Sequence, residues 1–218
     1  PILPYLNIFN TSLSVILNLA PSFAFINVVE GIDKYNVIPE AMLICNLFNG
    51  VGWGCYWHLK DNYMPRLCSI ICSILSLFYS FLYLFYRLEK NCLKWLLSVI
   101  IVIGICLGGA YLCLFVFPIG PFGFALMIVN ILMYISPAQN LIKVIKEKAY
   151  KLIPIASTLA SAACSGGWLL FGVINQDINC IVPNALGLAC SIFTAIVYVY
   201  FRSQAKEKGE EEGEELVE

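Results

Sequence analysis

Seven apolar stretches of roughly membrane length follow one another along this chain, near residues 6–28, 37–58, 65–86, 93–116, 121–144, 153–174 and 180–202. A hydrocarbon core of ~30 Å needs ~20 such residues in a helix. Short polar breaks separate them: Glu30, Asp33, Lys34 and Asn36; Lys60, Asp61 and Asn62; Arg87, Glu89, Lys90 and Asn91; Pro118, Gly120 and Pro121; Lys143 to Lys151; and Asn175, Gln176, Asp177 and Asn179. Inside lipid every backbone N–H and C=O must find its partner within the segment or in a closed barrel, so spans of this length are helices. Composition points the same way. The chain is 60% hydrophobic and 12% charged, whereas a soluble domain is about half apolar and one quarter charged. The expected fold is therefore an all-α membrane protein with seven transmembrane helices, its partner being the lipid bilayer.

Lys and Arg are distributed unevenly over the breaks. Eleven of the 13 fall in the loops after spans one, three and five and in the C-terminal tail. Short basic loops stay cytosolic, which predicts a cytosolic C-terminus and, for an odd number of spans, an N-terminus outside or in a lumen. No basic stretch precedes the first apolar run, so no signal peptide is expected. Residues 203–218, with Glu210, Glu211 and Glu212, read as a solvated, disordered acidic tail.

Several residues recur at one spacing. Pro21 and Pro137 are 116 residues apart, Pro39 and Pro154 are 115, Trp53 and Trp168 are 115, and Asp61 and Asp177 are 116. Both halves close on an aromatic run ending in arginine, Tyr83 to Arg87 and Tyr198 to Arg202. Spans one to three thus correspond to spans five to seven, and span four is a connector. Corresponding spans lie an even number of crossings apart, so the two repeats run the same way across the membrane. This 3+1+3 plan predicts a first repeat at 1–90, a linker helix at 91–118, a second repeat at 119–202 and the tail at 203–218.

Several functions are excluded. A net charge of −1 gives no basic footprint for nucleic acid. Of the ten cysteines, Cys45, Cys55, Cys68, Cys72, Cys106, Cys113, Cys164 and Cys190 sit within apolar runs and read as small packing residues. No CxxC pair occurs and His58 is the single histidine, so neither a zinc site nor any other metal or cofactor is expected. No Ser-His-Asp set exists, and the chain is not expected to be an enzyme. No Asp, Glu, Lys or Arg lies deep within a span, and such residues are the usual mark of proton relays and ion coupling. Uncoupled movement of a neutral solute follows.

The most specific stretch is Val129-Asn130-Ile131-Leu132-Met133-Tyr134-Ile135-Ser136-Pro137, followed by Pro154, Trp168, Asp177 and Ile181-Val182-Pro183-Asn184-Ala185-Leu186-Gly187. It resembles the fifth helix of the SWEET sugar transporters, and the later run resembles that family's Pro-Asn-Gly-Leu-Gly in helix seven. Leu19-Ala20-Pro21 and Trp53 to Tyr56 carry a weaker likeness in the first half. SWEETs are themselves a standard example of parallel-repeat transporters.

The resemblance implies roles for individual residues. Pro21, Pro39, Pro137 and Pro154 match the family's four hinge prolines; alternatively, Pro39 and Pro154 simply start their helices. Trp53 and Trp168 match the tryptophans flanking the sugar, against the plainer reading of interfacial anchors. Asn184 matches the sugar-binding asparagine of helix seven, against a helix–helix hydrogen bond. The family's second asparagine, in helix three, is absent, and Cys68 or Ser69 stands there. Leu17, Met133, Asn49 and Cys164, each four residues before a proline or a tryptophan, match the positions that line the pocket. The bulk of Leu17 and Met133 implies a narrow cavity for a monosaccharide. Tyr56 and Asp177 match an outer-gate pair, although Asp177 also reads as a helix cap.

The expected function is a facilitative sugar uniporter, with glucose as the simplest substrate, in the plasma membrane or a vacuolar or other endomembrane; the family likeness implies a homo-trimer. The alternatives are a PQ-loop transporter of another small solute such as an amino acid, and a seven-helix sorting receptor. Against the first, Ala138 separates Pro137 from Gln139, and the spans hold no charges for an amino acid's termini.

Overall fold

The computed structural model describes residues 2–31, 40–88, 91–133, 141–142, 144–148, 150 and 153–215. Among these residues are the helices α1 (Leu3–Leu19), α2 (Pro21–Val29), α3 (Glu40–Leu59), α4 (Tyr63–Arg87), α5 (Cys92–Phe115), α6 (Ile119–Met133), α7 (Ile155–Ile174) and α8 (Ile178–Glu215). Two compact units result, Pro1–Val129 and Asn130–Glu218. The division falls later than the expected repeat boundary at 118/119. The reason is local packing: Phe122 on α6 meets the Tyr56 ring of α3 at 6.4 Å between centroids, and Leu126 fills the space beside Gly52.

The four helices α4, α5, α7 and α8 to Ala205 are long and apolar enough to cross a membrane. The first expected span is split between α1 and α2. The third helix has 20 residues but includes Glu40, Asn46, Asn49 and His58, and α6 is described over 15 apolar residues. On α5 apolar exposure is extreme, with Leu93 68% and Leu107 67% accessible, which marks a lipid-facing helix. Its start is fixed by Asn91, whose Oδ1 accepts from Lys94 N–H at 3.1 Å, and by Trp95, whose indole N–H donates to the Phe81 carbonyl at 3.0 Å.

Within the first unit α4 packs against α1, α3 and α5. Membrane helices approach where side chains are small. A Cβ on Gly50 would lie 2.6 Å from Ser73 Oγ and 3.3 Å from its Cα, so the glycine permits the α3–α4 contact. The hydroxyls of Ser69, Ser73 and Ser80 bond back to the carbonyls of Pro65, Ser69 and Ser76 at 2.7–2.9 Å, which satisfies them inside their own helix. Below them Phe25, Val28, Leu43, Tyr79 and Tyr83 form a buried cluster.

The two helix hairpins confirm the duplication in backbone detail. In the first, Lys60, Asp61 and Asn62 N–H groups donate to Tyr56, His58 and Trp57 carbonyls; in the second, Asn175, Gln176 and Asp177 donate to Phe171, Val173 and Gly172. Each pair is offset by 115 residues, and the left-handed residues Asp61 (φ 50°) and Gln176 (φ 52°) share that offset. This is a helix-terminating turn built twice. It corrects one expected correspondence: the counterpart of Asp177 is Asn62, the residue before α4, not Asp61.

The backbone of α8 stays helical to Glu215. Lys and Glu are good helix formers.

Candidate functional site

Residues 49, 53 and 56 recur at four and then three positions, so they lie along one face of α3. Trp53 is 8% exposed and Tyr56 1%. The Trp53 ring meets Tyr56 edge-on at 5.3 Å and stacks on Trp57 at 5.7 Å and 26°. This packing holds the indole rigidly, yet its N–H has no hydrogen-bond partner, and neither has the Asn49 side-chain carbonyl one turn away. A buried donor and a buried acceptor thus stand unpaired on one helix face. Tyr56 is enclosed by Trp53, Trp57 and Phe122, with Lys60 Nζ 5.6 Å from its ring centre.

On α4 both Cys68 and Ser69 are described, and the repeat register relates them to α8. Counted at 115 residues, Asn184 corresponds to Ser69 and Pro183 to Cys68. The hydrogen bonds agree: Ser69 Oγ donates to the Pro65 carbonyl at 2.9 Å, and Asn184 Nδ2 donates to the Cys180 carbonyl at 2.7 Å. Cys68 is buried.

In the second unit Trp168 is half-buried and packs edge-on against Phe171 at 5.4 Å. Cys180 Sγ reaches its carbonyl at 3.4 Å. Cys164, one turn before Trp168, is half-buried, as are Leu17 in the first unit and Met133 at the end of α6. Asp177 is buried, and its Oδ1 accepts the Asn179 N–H at 3.1 Å, so it caps the start of α8. Tyr56 and Asp177 belong to different units.

The prolines differ from one another. Pro21 breaks the first span: without a proline N–H, the Leu17 carbonyl is taken by Ala20 N–H at 3.2 Å. Below the break α2 is tied to α4 by a hydrogen bond between Ser22 Oγ and Tyr79 OH and by Phe25 stacked on Tyr79 at 5.3 Å. Pro154 instead precedes α7, where its carbonyl accepts from Ser157 Oγ at 2.9 Å and Thr158 N at 3.0 Å. It stands at the N-cap of α7, where the first turn needs no donor. Pro39 and Pro137 lie outside the described residues. Pro21→Ala is expected to join α1 and α2 into one straight helix. The distance between spin labels at the exposed Ile8 and Val29 should then approach the ~32 Å of a 21-residue rise; a distance equal to that of the unsubstituted chain would show that Pro21 does not cause the break.

Sequence reasoning missed two features. Pro183 sits inside α8 and is fully buried; its place six residues into an apolar run was the available signal. The second is a polar face on α1: Asn7, Asn10, Thr11, Ser14 and Asn18, spaced as one stripe of a helix. Asn18 Nδ2 donates to the Ser14 carbonyl at 2.9 Å and to Cys72 Sγ at 3.4 Å.

Comparison with known proteins agrees with this architecture. The family model described as "Sugar efflux transporter for intercellular exchange" matches residues 120–206. The chain is 24% identical over 207 residues to the bidirectional sugar transporter SWEET1 of Arabidopsis thaliana, covering 92% of this chain and 84% of the relative. It is 28% identical over 149 residues to the sugar transporter SWEET1 of Xenopus laevis, covering 66% and 68%. A solved eukaryotic SWEET transporter superposes with a TM-score of 0.78 at 21% identity, over 91% of this chain and 96% of that one. The fold is that of an integral membrane protein with the 3+1+3 helix plan. The second half of the chain matches that family model, and the chain as a whole is similar to SWEET transporters.

Proposed function

We propose that this chain carries a small neutral sugar, a monosaccharide such as glucose, down its concentration gradient by alternating access. One observation carries the reading most directly: the buried Trp53 indole N–H and the Asn49 carbonyl oxygen, one helical turn apart, lack protein partners. A buried polar group left unpaired costs about 1–3 kcal/mol, so a side-chain pair of this kind suits a guest that brings both hydroxyl donors and acceptors. An indole face also suits the C–H face of a pyranose. The names of the relatives support the same substrate class.

In this reading Trp53 and Trp168 flank the sugar. Asn184 binds it from α8, Ser69 and Cys68 from α4, and Leu17, Met133, Asn49 and Cys164 narrow the cavity. Pro21, Pro39, Pro137 and Pro154 serve the movement, with Pro21 the one whose bend is described. The basic loops after spans one, three and five support an N-terminus outside or in a lumen. Without an ionisable residue deep in the spans, no coupling ion is needed.

Counterflow of labelled glucose into proteoliposomes preloaded with unlabelled glucose tests the proposal. Exchange should occur and be insensitive to pH gradient and membrane potential. Absence of exchange, or accumulation of sugar against its gradient, would overturn it; exchange of an amino acid instead would favour the PQ-loop alternative. Tyr56 and Asp177 form the outer gate in this reading. Tyr56→Phe should then raise the exchange rate by about two- to fivefold, since one charge-assisted hydrogen bond of about 1 kcal/mol no longer holds the gate shut. Unchanged kinetics would leave Asp177 as a helix cap alone.

A further inference from the structure

The α1 stripe divides into two parts. Asn18 is engaged with Ser14 and Cys72. Nearer the start of the helix, Asn7 Oδ1 and both polar atoms of Asn10 have no protein partner, while the Thr11 hydroxyl lies against the Cys68 thiol of α4. Asn10 is 0% exposed and Asn7 8%. The opposite side of the helix is the outward one, where Tyr5, Ile8, Phe9 and Ile16 are at least half exposed. The unpaired amides therefore face the interior of the first unit.

Stability does not explain them. Leucine at position 10 would fill a similar volume with no polar atom to desolvate, and a helix–helix hydrogen bond, the usual reason for asparagine in a span, is not made. The atoms on offer are amide and hydroxyl donors mixed with amide and hydroxyl oxygens, and α1 carries no charge. A cation would call for oxygens alone and an anion for donors alone. The mixture fits a neutral guest whose every polar group both donates and accepts, which is the chemistry of a hydroxyl.

Location supports the same guest. α1 and α4 run parallel, with Asn18 against Cys72 and Ser22 against Tyr79. Moving from Asn18 toward Asn10 therefore leads toward the start of α4 and the turn that joins it to α3. Asn10 lies eight residues from Asn18, about 12 Å along the helix axis. Ser69 and Trp53 stand at intermediate depth on α4 and α3.

We propose that Asn7 and Asn10, with Thr11 beside them, form a second hydroxyl-binding subsite for a neutral polyol, displaced toward the outer end of α1 from the Asn49–Trp53 pair. It holds the sugar by its hydroxyls before the ring reaches the tryptophan. The proposal rests on the sugar-carrier reading for its substrate, but not for the unpaired groups themselves.

The test uses the full chain with D-glucose as probe. Two readouts are needed, thermal stabilisation in detergent by glucose and counterflow in proteoliposomes, applied to the unsubstituted chain, Asn10→Leu and Thr11→Val. Asn10→Leu should raise the glucose concentration giving half-maximal counterflow by ~10-fold and reduce the stabilisation by glucose. Its own thermal midpoint without sugar should equal or exceed that of the unsubstituted chain, because an unpaired buried amide has been removed. Thr11→Val, an isosteric change, should give a ~3-fold effect in the same direction.

Variants that bind and exchange glucose like the unsubstituted chain would overturn the subsite and leave the carrier reading intact. A lowered midpoint for Asn10→Leu with unchanged half-saturation would assign the residue to helix packing and also overturn the subsite. An unsubstituted chain that glucose stabilises without exchange would overturn the carrier reading alone, and the loss of stabilisation in Asn10→Leu would still support the subsite. A chain neither stabilised nor exchanging would overturn both.

Discussion

Trp53→Ala is expected to abolish measurable glucose counterflow, a fall of ~100-fold or more, and Trp53→Phe to reduce it by about 5- to 10-fold. The two substitutions remove different things. Phenylalanine keeps a ring to pack against Tyr56 at 5.3 Å and Trp57 at 5.7 Å but lacks the buried N–H that has no protein partner. A loss of about 1–1.5 kcal/mol, one hydrogen bond to a guest hydroxyl, gives the smaller factor. Alanine also removes the stacking face and leaves a cavity, with a stability cost of about 3–5 kcal/mol. Half-saturation in Trp53→Phe separates binding from folding: it should rise while the thermal midpoint stays within a few degrees. A Phe variant with unchanged half-saturation would place the indole N–H outside the sugar site.

The second large effect concerns the hairpin of α7 and α8. A Cβ on Gly172 would lie 3.1 Å from the Ile181 backbone nitrogen and Cγ1 and 3.2 Å from Cys180 Cβ. The contact involves backbone, which cannot rotate away. Gly172→Ala should cost about 1–3 kcal/mol through overpacking. Gly172→Leu must push the helices apart, with loss of the folded second unit and of all exchange. The measurement is the detergent thermal midpoint, which should fall modestly for alanine and by more than ~10 °C for leucine; an unchanged midpoint for leucine would mean that α7 and α8 do not depend on this approach. The repeat counterpart of Gly172 is Trp57, buried at 4% exposure. The same backbone turn therefore carries opposite side-chain choices in the two halves, and the close approach beside the turn is made at Gly172 in the second, whereas in the first it is made farther along the hairpin at Gly50.

Much of the fold could be read before any coordinates. Four of the expected spans coincide with α4, α5, α7 and α8 to within a few residues, because a long apolar run between charged breaks admits few alternatives. The duplication was legible from the Trp53–Trp168 and Pro39–Pro154 spacings. The misalignment of Asp61 with Asp177 came from matching residue type, where the turn hydrogen bonds set the register. Pro154 was open in the sequence to two readings, a hinge or a helix start, whereas Pro21 had only the first. They differ because one interrupts a continuing helix and the other precedes its helix, a distinction that rests on which carbonyls find donors.

The sequence alone determined the solvent of this protein, the number and rough length of its spans and the two-fold repetition of its plan, since each follows from hydropathy along the chain and from local backbone rules. Only the tertiary structure decided which polar groups are buried without partners. Asn10, Asn49 and Trp53 are indistinguishable on paper from Asn18, which pairs with Cys72 across helices. Whether an amide is satisfied depends on what the neighbouring helix presents at that depth, and no one-dimensional pattern contains that.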